Sequence, residues 1–186
     1  NYADSSSWFC DLSSTTVRTW YTNSRGLFGG NQANTIASIS DGTSNTAAIA
    51  EGCTGVWDTG GSGNRIKGNQ GRMNGGWNNN ANWAAGVNFS DCLNIRDSND
   101  RTLIDGNCVN WMGVGDQWTV GWAYKNYFQT ILPPNSPNCA VGGDPGGNFT
   151  PTLNSASSYH PGGVNVARVD GSVAFVSDTV DTGNID

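Results

Sequence analysis

The clearest pattern of apolar and polar positions lies near the C-terminal end of the chain. Two runs of β-branched and apolar residues, 164–169 and 172–177, are separated only by Asp170 and Gly171. An Asp-Gly pair between two such runs favours a type I′ turn. The pattern therefore predicts a C-terminal β-hairpin over 164–177.

The predicted turn also fixes which residues of the hairpin face each other. A two-residue turn would place Val166 opposite Phe175 and Ala167 opposite Ala174. Both faces of the hairpin would then carry small or apolar side chains. We therefore expect the hairpin to lie inside a sheet.

A second strand-turn-strand pattern occurs earlier in the chain. Residues 35–40 and 46–51 flank Asp41-Gly42, within a longer turn of sequence DGTSN. Side chains of Asp, Thr, Ser and Asn satisfy local backbone groups in such turns, so this composition needs no ligand to explain it. The second strand ends at Glu51, the only glutamate of the chain. No second carboxylate stands at a spacing that suits acid-base catalysis, which favours a structural role for Glu51.

The histidine ahead of the hairpin suggests a family. His160 is followed, after nine residues, by Asp170-Gly171, and further similar segments lie at 39–52, 128–139 and across 160–178. On these segments the chain resembles the DUF1559 family, pilin-like proteins abundant in Planctomycetes. These proteins are similar to type II secretion pseudopilins and share a C-terminal H-x9-DG motif. Residues 53–115 carry no part of the resemblance.

The resemblance implies an α+β, mainly β pilin-like domain with an antiparallel sheet. It also implies an exported, non-enzymatic structural subunit of a surface filament or extracellular assembly, with self-association or other subunits as partners. Family members begin with a basic leader, a prepilin cleavage site and a long apolar helix, which have no counterpart here. We therefore expect the sequence to be a fragment of a longer precursor.

Composition independently indicates a loop-rich β protein. The chain has 26 glycines and 24 asparagines, and only 13% of its residues are charged. Long Gly/Asn-rich loops around a single domain, 1–186, fit this composition and length. The net charge of −6 and the scattered arginines and lysines argue against nucleic-acid binding. No stretch approaches the roughly 20 apolar residues of a membrane span, so we expect no membrane contact from this segment.

Five cysteines point to an extracellular or cell-surface location. They lack CxxC spacing and have one histidine to join them, which argues against structural zinc. Cys92 and Cys108 bracket a fifteen-residue polar loop, and a disulfide there would contribute roughly 3 kcal/mol. Cys10 with Cys53 is a second candidate pair. Cys139 would then be the odd cysteine.

A tryptophan- and asparagine-rich segment is the first candidate binding surface. Trp77 and Trp83 flank a run that includes Asn78 and Asn80. Indole rings stack on sugar rings while amides reach the hydroxyls, which would make a polysaccharide-binding module. The alternative is that the tryptophans fill a core that is short of Leu and Ile. Both interpretations stay open.

An acidic loop is the candidate metal site. Asp97, Asn99, Asp100 and Asp105 could form an irregular calcium cage. Glycine at the sixth position and glutamate at the twelfth position of an EF-hand loop are replaced here by Thr102 and Cys108. A solvated acidic loop without a cofactor is the simpler alternative.

His160 is the remaining candidate for catalysis, and a hydrolase is the weakest of the three hypotheses. No GxSxG nucleophile motif accompanies it. Its context favours an imidazole that bonds loop backbone at the entry to the first hairpin strand. The residues with a predicted structural role are Asp41, Gly42, Glu51, Pro133, Pro134, Asn135, His160, Gly162, Gly163, Asp170 and Gly171.

Overall fold

A computed structural model describes eight stretches of the chain. These are residues 27–28, 34–55, 65–73, 89–105, 112–116, 119, 123–141 and 152–183. The described residues form seven strands in two sheets, with one four-residue α-helix, α1 (Ala123–Asn126), and two short 3-10 helices. The prediction of a mainly β protein is confirmed.

The first sheet has three antiparallel strands in the order β1-β6-β7. Its strands are β1 (Ala47–Ala50), β6 (Gly163–Arg168) and β7 (Val173–Ser177). Strands β6 and β7 are the predicted hairpin, and β1 is the second strand of the DGTSN unit. Both strand predictions are confirmed.

The hairpin register differs by one residue from the prediction. Val166 faces Ala174 and Asn165 faces Phe175. The turn is longer than expected, because Arg168 bonds Ser172 across it and the N–H of Gly171 donates to the carbonyl of Arg168. Gly171 has φ +83° and Asp170 is not left-handed, which excludes a type I′ turn. A three-residue loop with glycine in the left-handed region replaces it.

One face of the three-stranded sheet is exposed, and the register decides which residues of β7 lie on it. Val164 and Val166 point into the core with Ala156, and Val176, Phe128 and the small residues of β1 pack against them. On the opposite face Ile49 is 67% exposed, Val173 67% and Phe175 54%. The hairpin therefore does not lie fully inside a sheet as expected, because β7 is an edge strand among the described strands and one face is exposed. We call this surface, formed by Ile49, Val173 and Phe175, the outer face.

Glycine at position 163 is required by the close approach of two groups. A Cβ added there would lie 2.1 Å from the carbonyl oxygen of Val176 and 2.9 Å from the Phe175 ring. The aromatic ring therefore lies directly against the backbone of the neighbouring strand. Phe175 partly covers this bare backbone although most of its side chain faces solvent.

The predicted strand over 35–40 is not formed. A 3-10 helix occupies Ile36–Ser38 instead, and none of its residues is buried. An apolar run without a partner strand gains no ladder hydrogen bonds, which explains the difference. The following turn packs against the hairpin loop, where the N–H of Asp170 donates to the carbonyl of Thr43 and that of Val169 to Thr46, at 3.2 and 3.0 Å.

The second sheet has four strands in the order β3-β2-β4-β5. They are β2 (Asn69–Met73), β3 (Met112–Gly113), β4 (Asn138–Val141) and β5 (Thr152–Leu153). Strands β2 and β4 pair in parallel, and the other two pairs are antiparallel. The predicted antiparallel arrangement thus describes the first sheet fully and the second sheet in part.

One disulfide links this sheet to a neighbouring helix. Cys92, in the 3-10 helix Phe89–Ile95, bonds to Cys139 in β4, and both residues are fully buried. The predicted pairing of Cys92 with Cys108 is therefore wrong, and so is the expectation that Cys139 is the odd cysteine. Cys53 is a buried free thiol, so the second expected pair with Cys10 is not formed either. Cys10 and Cys108 lie outside the described residues.

Buried amide side chains bond the segment that leads from β5 to β6. The side-chain oxygen of Gln129 accepts the N–H of Asn154 at 2.6 Å, and that of Asn138 accepts the N–H of Ser155 at 2.8 Å. Asn138 and Asn154 are each 1% exposed. These amides supply partners that a regular ladder would otherwise provide. Part of the asparagine content therefore serves the interior of the protein rather than its surface.

A buried ion pair fixes the α-helix. Lys125 is fully buried, and its ammonium group bonds the carboxylate of Asp116 and the carbonyl of Gly113. Such a pair leaves an uncompensated buried charge if one partner is removed.

None of the helices in the described part of the chain is long and apolar enough to cross a membrane.

We predict that peptide mapping without reduction recovers Cys92 joined to Cys139. Replacing Cys139 by serine should lower the free energy of unfolding by roughly 4 kcal/mol, because 47 residues separate the linked cysteines. Denaturant titration measures this loss. Cys53→Ala is the matched control, since it removes a thiol and leaves the disulfide. Recovery of a Cys92–Cys108 peptide would contradict the observed pairing.

Candidate functional site

The three segments that carry the family resemblance meet at one end of the first sheet. Glu51 follows β1, the turn at 133–135 lies beside it, and the loop 157–162 leads into β6. Backbone bonds join them, since the N–H of Ser157 donates to the carbonyl of Glu51 and that of Asn135 to Ala156. Residues far apart in sequence therefore form one polar cluster.

Glu51 is the centre of this cluster. Its Oε2 accepts the backbone N–H of Asn165 at 2.8 Å, and its Oε1 accepts the Asn165 side-chain amide at 3.1 Å. His160 Nε2 lies 3.2 Å from the same Oε1. A carboxylate only accepts hydrogen bonds, so the histidine donates here through Nε2. The only glutamate and the only histidine of the chain are thus paired.

These donors favour the ionised form of the carboxyl group. The backbone and side-chain bonds from Asn165 lower the pKa of Glu51, and the charge of His160 lowers it further. A general acid must hold a proton at its working pH. The geometry therefore makes Glu51 an anchor for the loop and for β6.

Asn135 secures the loop from the other side. It is the one residue other than glycine with a left-handed backbone among the described residues, at φ 62°. Its Oδ1 accepts the N–H of Ser158 at 3.0 Å, and Ser158 Oγ donates to the carbonyl of Gly163 at 2.7 Å. Asparagine tolerates the left-handed region better than most residues. The sequence Pro133-Pro134-Asn135 therefore forms a turn whose last residue bonds the loop before β6.

No Ser-His pair of the hydrolytic kind forms here. Ser158 Oγ accepts the backbone N–H of His160 at 3.1 Å, whereas the imidazole bonds Glu51. The histidine side chain is 58% exposed. The ring therefore lies on the surface and bonds the Glu51 carboxylate, and not the loop backbone as expected.

The acidic loop uses its carboxylates locally. Asp97 Oδ1 accepts the N–H groups of Asn99 and Asp100, and Asp100 Oδ1 accepts the N–H and hydroxyl of Thr102. These bonds lower the pKa of both aspartates. Across the described stretches no group of three or more His, Cys, Asp or Glu is placed to hold a metal, Asp105 included. Calcium binding stays a prediction.

The remaining predicted residues divide between two places. Asp41, Gly42, Asp170 and Gly171 lie at the opposite end of the sheet, in the two turns that pack together. Trp77, Asn78, Asn80 and Trp83 lie outside the described residues.

Sequence reasoning missed Asn165 and Ser158, which complete the polar cluster around Glu51. An asparagine between two buried valines of a strand was the available signal for Asn165.

The hydrogen bonds of the Glu51 carboxylate predict that part of the folding stability is lost at acidic pH. Because folding lowers the pKa of Glu51, its contribution is present above the pKa of the unfolded chain and is lost as pH falls through the lower, folded value. Glu51→Gln should therefore lower Tm at neutral pH, and the difference from the wild type should shrink between about pH 5 and pH 3. Thermal unfolding across this range measures it.

Asp41→Asn is the control, because it removes a carboxylate from the exposed turn at the other end of the sheet. A difference between wild type and Glu51→Gln that stays constant with pH would show that the carboxylate charge is not what secures the loop.

Comparison with known proteins gives a family and no characterised relative. A family model described as a protein of unknown function (DUF1559) matches residues 6–183. The family label, SBP_bac_10, indicates a secreted or periplasmic type of protein. No curated protein and no solved structure matches the chain. Since the match covers nearly the whole sequence, the chain belongs to the DUF1559 family.

Proposed function

We propose that this protein is a non-enzymatic structural subunit of an extracellular assembly and that it associates with further copies of itself. The observation that carries the proposal is the outer face of the first sheet, where Ile49, Val173 and Phe175 are all more than half exposed. Large apolar side chains grouped on one exposed surface favour contact with another protein. The pilin-like resemblance supports the same role.

The edge of the sheet adds a second reason. Strand β7 has one hydrogen-bonded neighbour, β6, among the described strands. Its sequence, VAFVS, holds no charged residue and no proline. Exposed edge strands usually carry such residues because these prevent pairing with another chain. Strand β7 therefore has the properties of an edge strand that can pair with a strand of another chain.

The distribution of charge supports a second copy of this chain as the partner at the outer face. The protein carries a net charge of −6, so two copies repel each other over most of their surface. Strands β1 and β7 contribute no charged side chain to the outer face. The Glu51 carboxylate bonds Asn165, which faces Phe175 on this surface, and this carboxylate is paired with His160. Copies can therefore approach there without desolvating an unpaired charge. Antiparallel pairing of β7 with β7 would close a two-fold dimer, whereas pairing of β7 with β1 would propagate into a filament.

The cluster around Glu51 supports the non-enzymatic part of the proposal. The Glu51 carboxylate bonds the His160 imidazole and the backbone N–H of Asn165 in β6, rather than the side chain of a serine or cysteine nucleophile. Glycan binding by the segment that contains Trp77 and Trp83 remains the alternative, and hydrolysis by Glu51 or His160 is the weakest hypothesis.

We predict that Val173→Lys weakens self-association at least about tenfold, the effect of removing a contact at the centre of an interface. Sedimentation velocity over a concentration series measures the association constant, and electron microscopy shows whether filaments form. Lysine reduces the net charge from −6 to −5, so greater overall repulsion cannot explain a loss.

Ile36→Lys is the matched control, because Ile36 is 75% exposed and lies outside the sheet. This variant should associate like the wild type. A wild-type protein that stays monomeric at all concentrations, or an equal effect of both variants, would rule out the outer face as the contact.

A further inference from the structure

Three cationic side chains that are scattered in the sequence converge in one pocket. Arg65, Lys67 and Arg96 line an open pocket of about 450 Å³ together with Tyr159, Asn135 and Asp178. The chain has only nine arginines and lysines against fifteen acidic residues. A third of its cations therefore lie around one pocket, and the view of them as scattered is wrong for these three.

Two isolated β-bridges bring the arginines together. Arg65 pairs with Leu103, and Arg96 pairs with Ile104. The N–H of Ile66 also donates to the carbonyl of Thr102 at 2.9 Å. The segment 102–104 thus connects the two arginine-bearing segments, and the pocket is built on paired backbone.

Carboxylates compensate the positive charge of the pocket only in part: Asp178 lines it, and the charge of Arg65 lowers the pKa of Asp100. Within the described part of the chain, the two salt bridges are Lys125–Asp116 and His160–Glu51, and neither includes a pocket cation. Arg96 instead bonds the carbonyls of Arg101 and Asn135, at 3.2 and 3.5 Å. Burial and the nearby charge of Arg101 lower the pKa of Arg96. A bound anion would relieve this repulsion.

The rest of the lining suits a sugar ring. Tyr159 exposes 72% of its surface, and Lys67 lies 5.7 Å from the centre of its ring while donating to the carbonyl of Ser158 at 2.6 Å. Aromatic rings offer an apolar surface on which a pyranose can stack. Asp178 and Asn135 supply acceptors for hydroxyl groups.

We propose that this pocket binds an acidic saccharide, a sugar ring that carries a carboxylate. Arg65, Lys67 and Arg96 hold the carboxylate, Tyr159 packs on the ring, and Asp178 accepts its hydroxyls. Arginine recognises carboxylates in a bidentate geometry, which makes it well suited to this ligand. A polyanion without hydroxyl donors fits less well, because it would face the Asp178 carboxylate without bonding it.

The site is separate from the outer face that we propose for assembly. None of the residues that line the pocket belongs to β1, β6 or β7. Loss of saccharide binding and loss of self-association can therefore be measured in different variants, and either proposal can fail alone.

Isothermal titration with tri-galacturonic acid tests the inference, and its methyl ester is the uncharged comparison ligand. We expect the acid to bind and the ester to bind at least about tenfold more weakly, the change given by one charge-assisted hydrogen bond. Arg65→Gln and Tyr159→Ala should each weaken binding of the acid about tenfold. Both side chains are exposed, so the variants should stay folded, and circular dichroism checks this.

Arg168→Gln is the matched control, because it removes the same charge from β6 outside the pocket. It should bind the acid like the wild type. Three results would overturn the proposal: no binding of the acid, equal binding of the ester, or an equal loss in Arg65→Gln and Arg168→Gln. A poly-glutamate peptide that binds as tightly as the sugar acid would also overturn it, in favour of an acidic protein segment.

Discussion

The fold depends on finding hydrogen-bond partners for buried backbone that is not in a ladder. Unpaired buried N–H and C=O groups cost about as much as a lost hydrogen bond each, so every irregular segment needs donors and acceptors from elsewhere. Side-chain amides and one carboxylate provide them here. Gln129, Asn138 and Asn135 each accept a backbone N–H from the segment 154–158, and Glu51 accepts that of Asn165. A chain with few long strands is held together in this way.

Local patterns predicted the hairpin because alternation and a glycine turn act over a few residues. The register was wrong because the choice between a two-residue and a three-residue loop is decided by contacts outside the hairpin. Val169 and Asp170 donate to the 43–46 segment, and this favours the conformation with left-handed Gly171. A one-residue shift exchanges the two faces of a strand. Phe175, which was predicted to pair with Val166, therefore lies on the opposite face of the sheet.

Long-range features were less accessible from the sequence. Loop entropy favours the shorter fifteen-residue closure, yet Cys92 bonds Cys139, because the pairing of β2 with β4 brings β4 to the 3-10 helix. The basic pocket escaped prediction for the same reason, since pairing through 102–104 joins Arg65 to Arg96. Spacing along the chain carries no signal for such contacts. The cluster of Glu51 and His160 was predicted as structural, although its members were not predicted to meet.

The loop 157–162 connects the parts of the molecule to which we assign a role. On one side His160 bonds Glu51, at the end of β1, and on the other side Asn135 and Tyr159 line the basic pocket. Ser158 bonds both Asn135 and the carbonyl of Gly163, where β6 begins. A loop held at all these points has little freedom to move without disturbing the sheet. The same hydrogen bonds therefore order the strand that supports the outer face and the aromatic residue that completes the pocket.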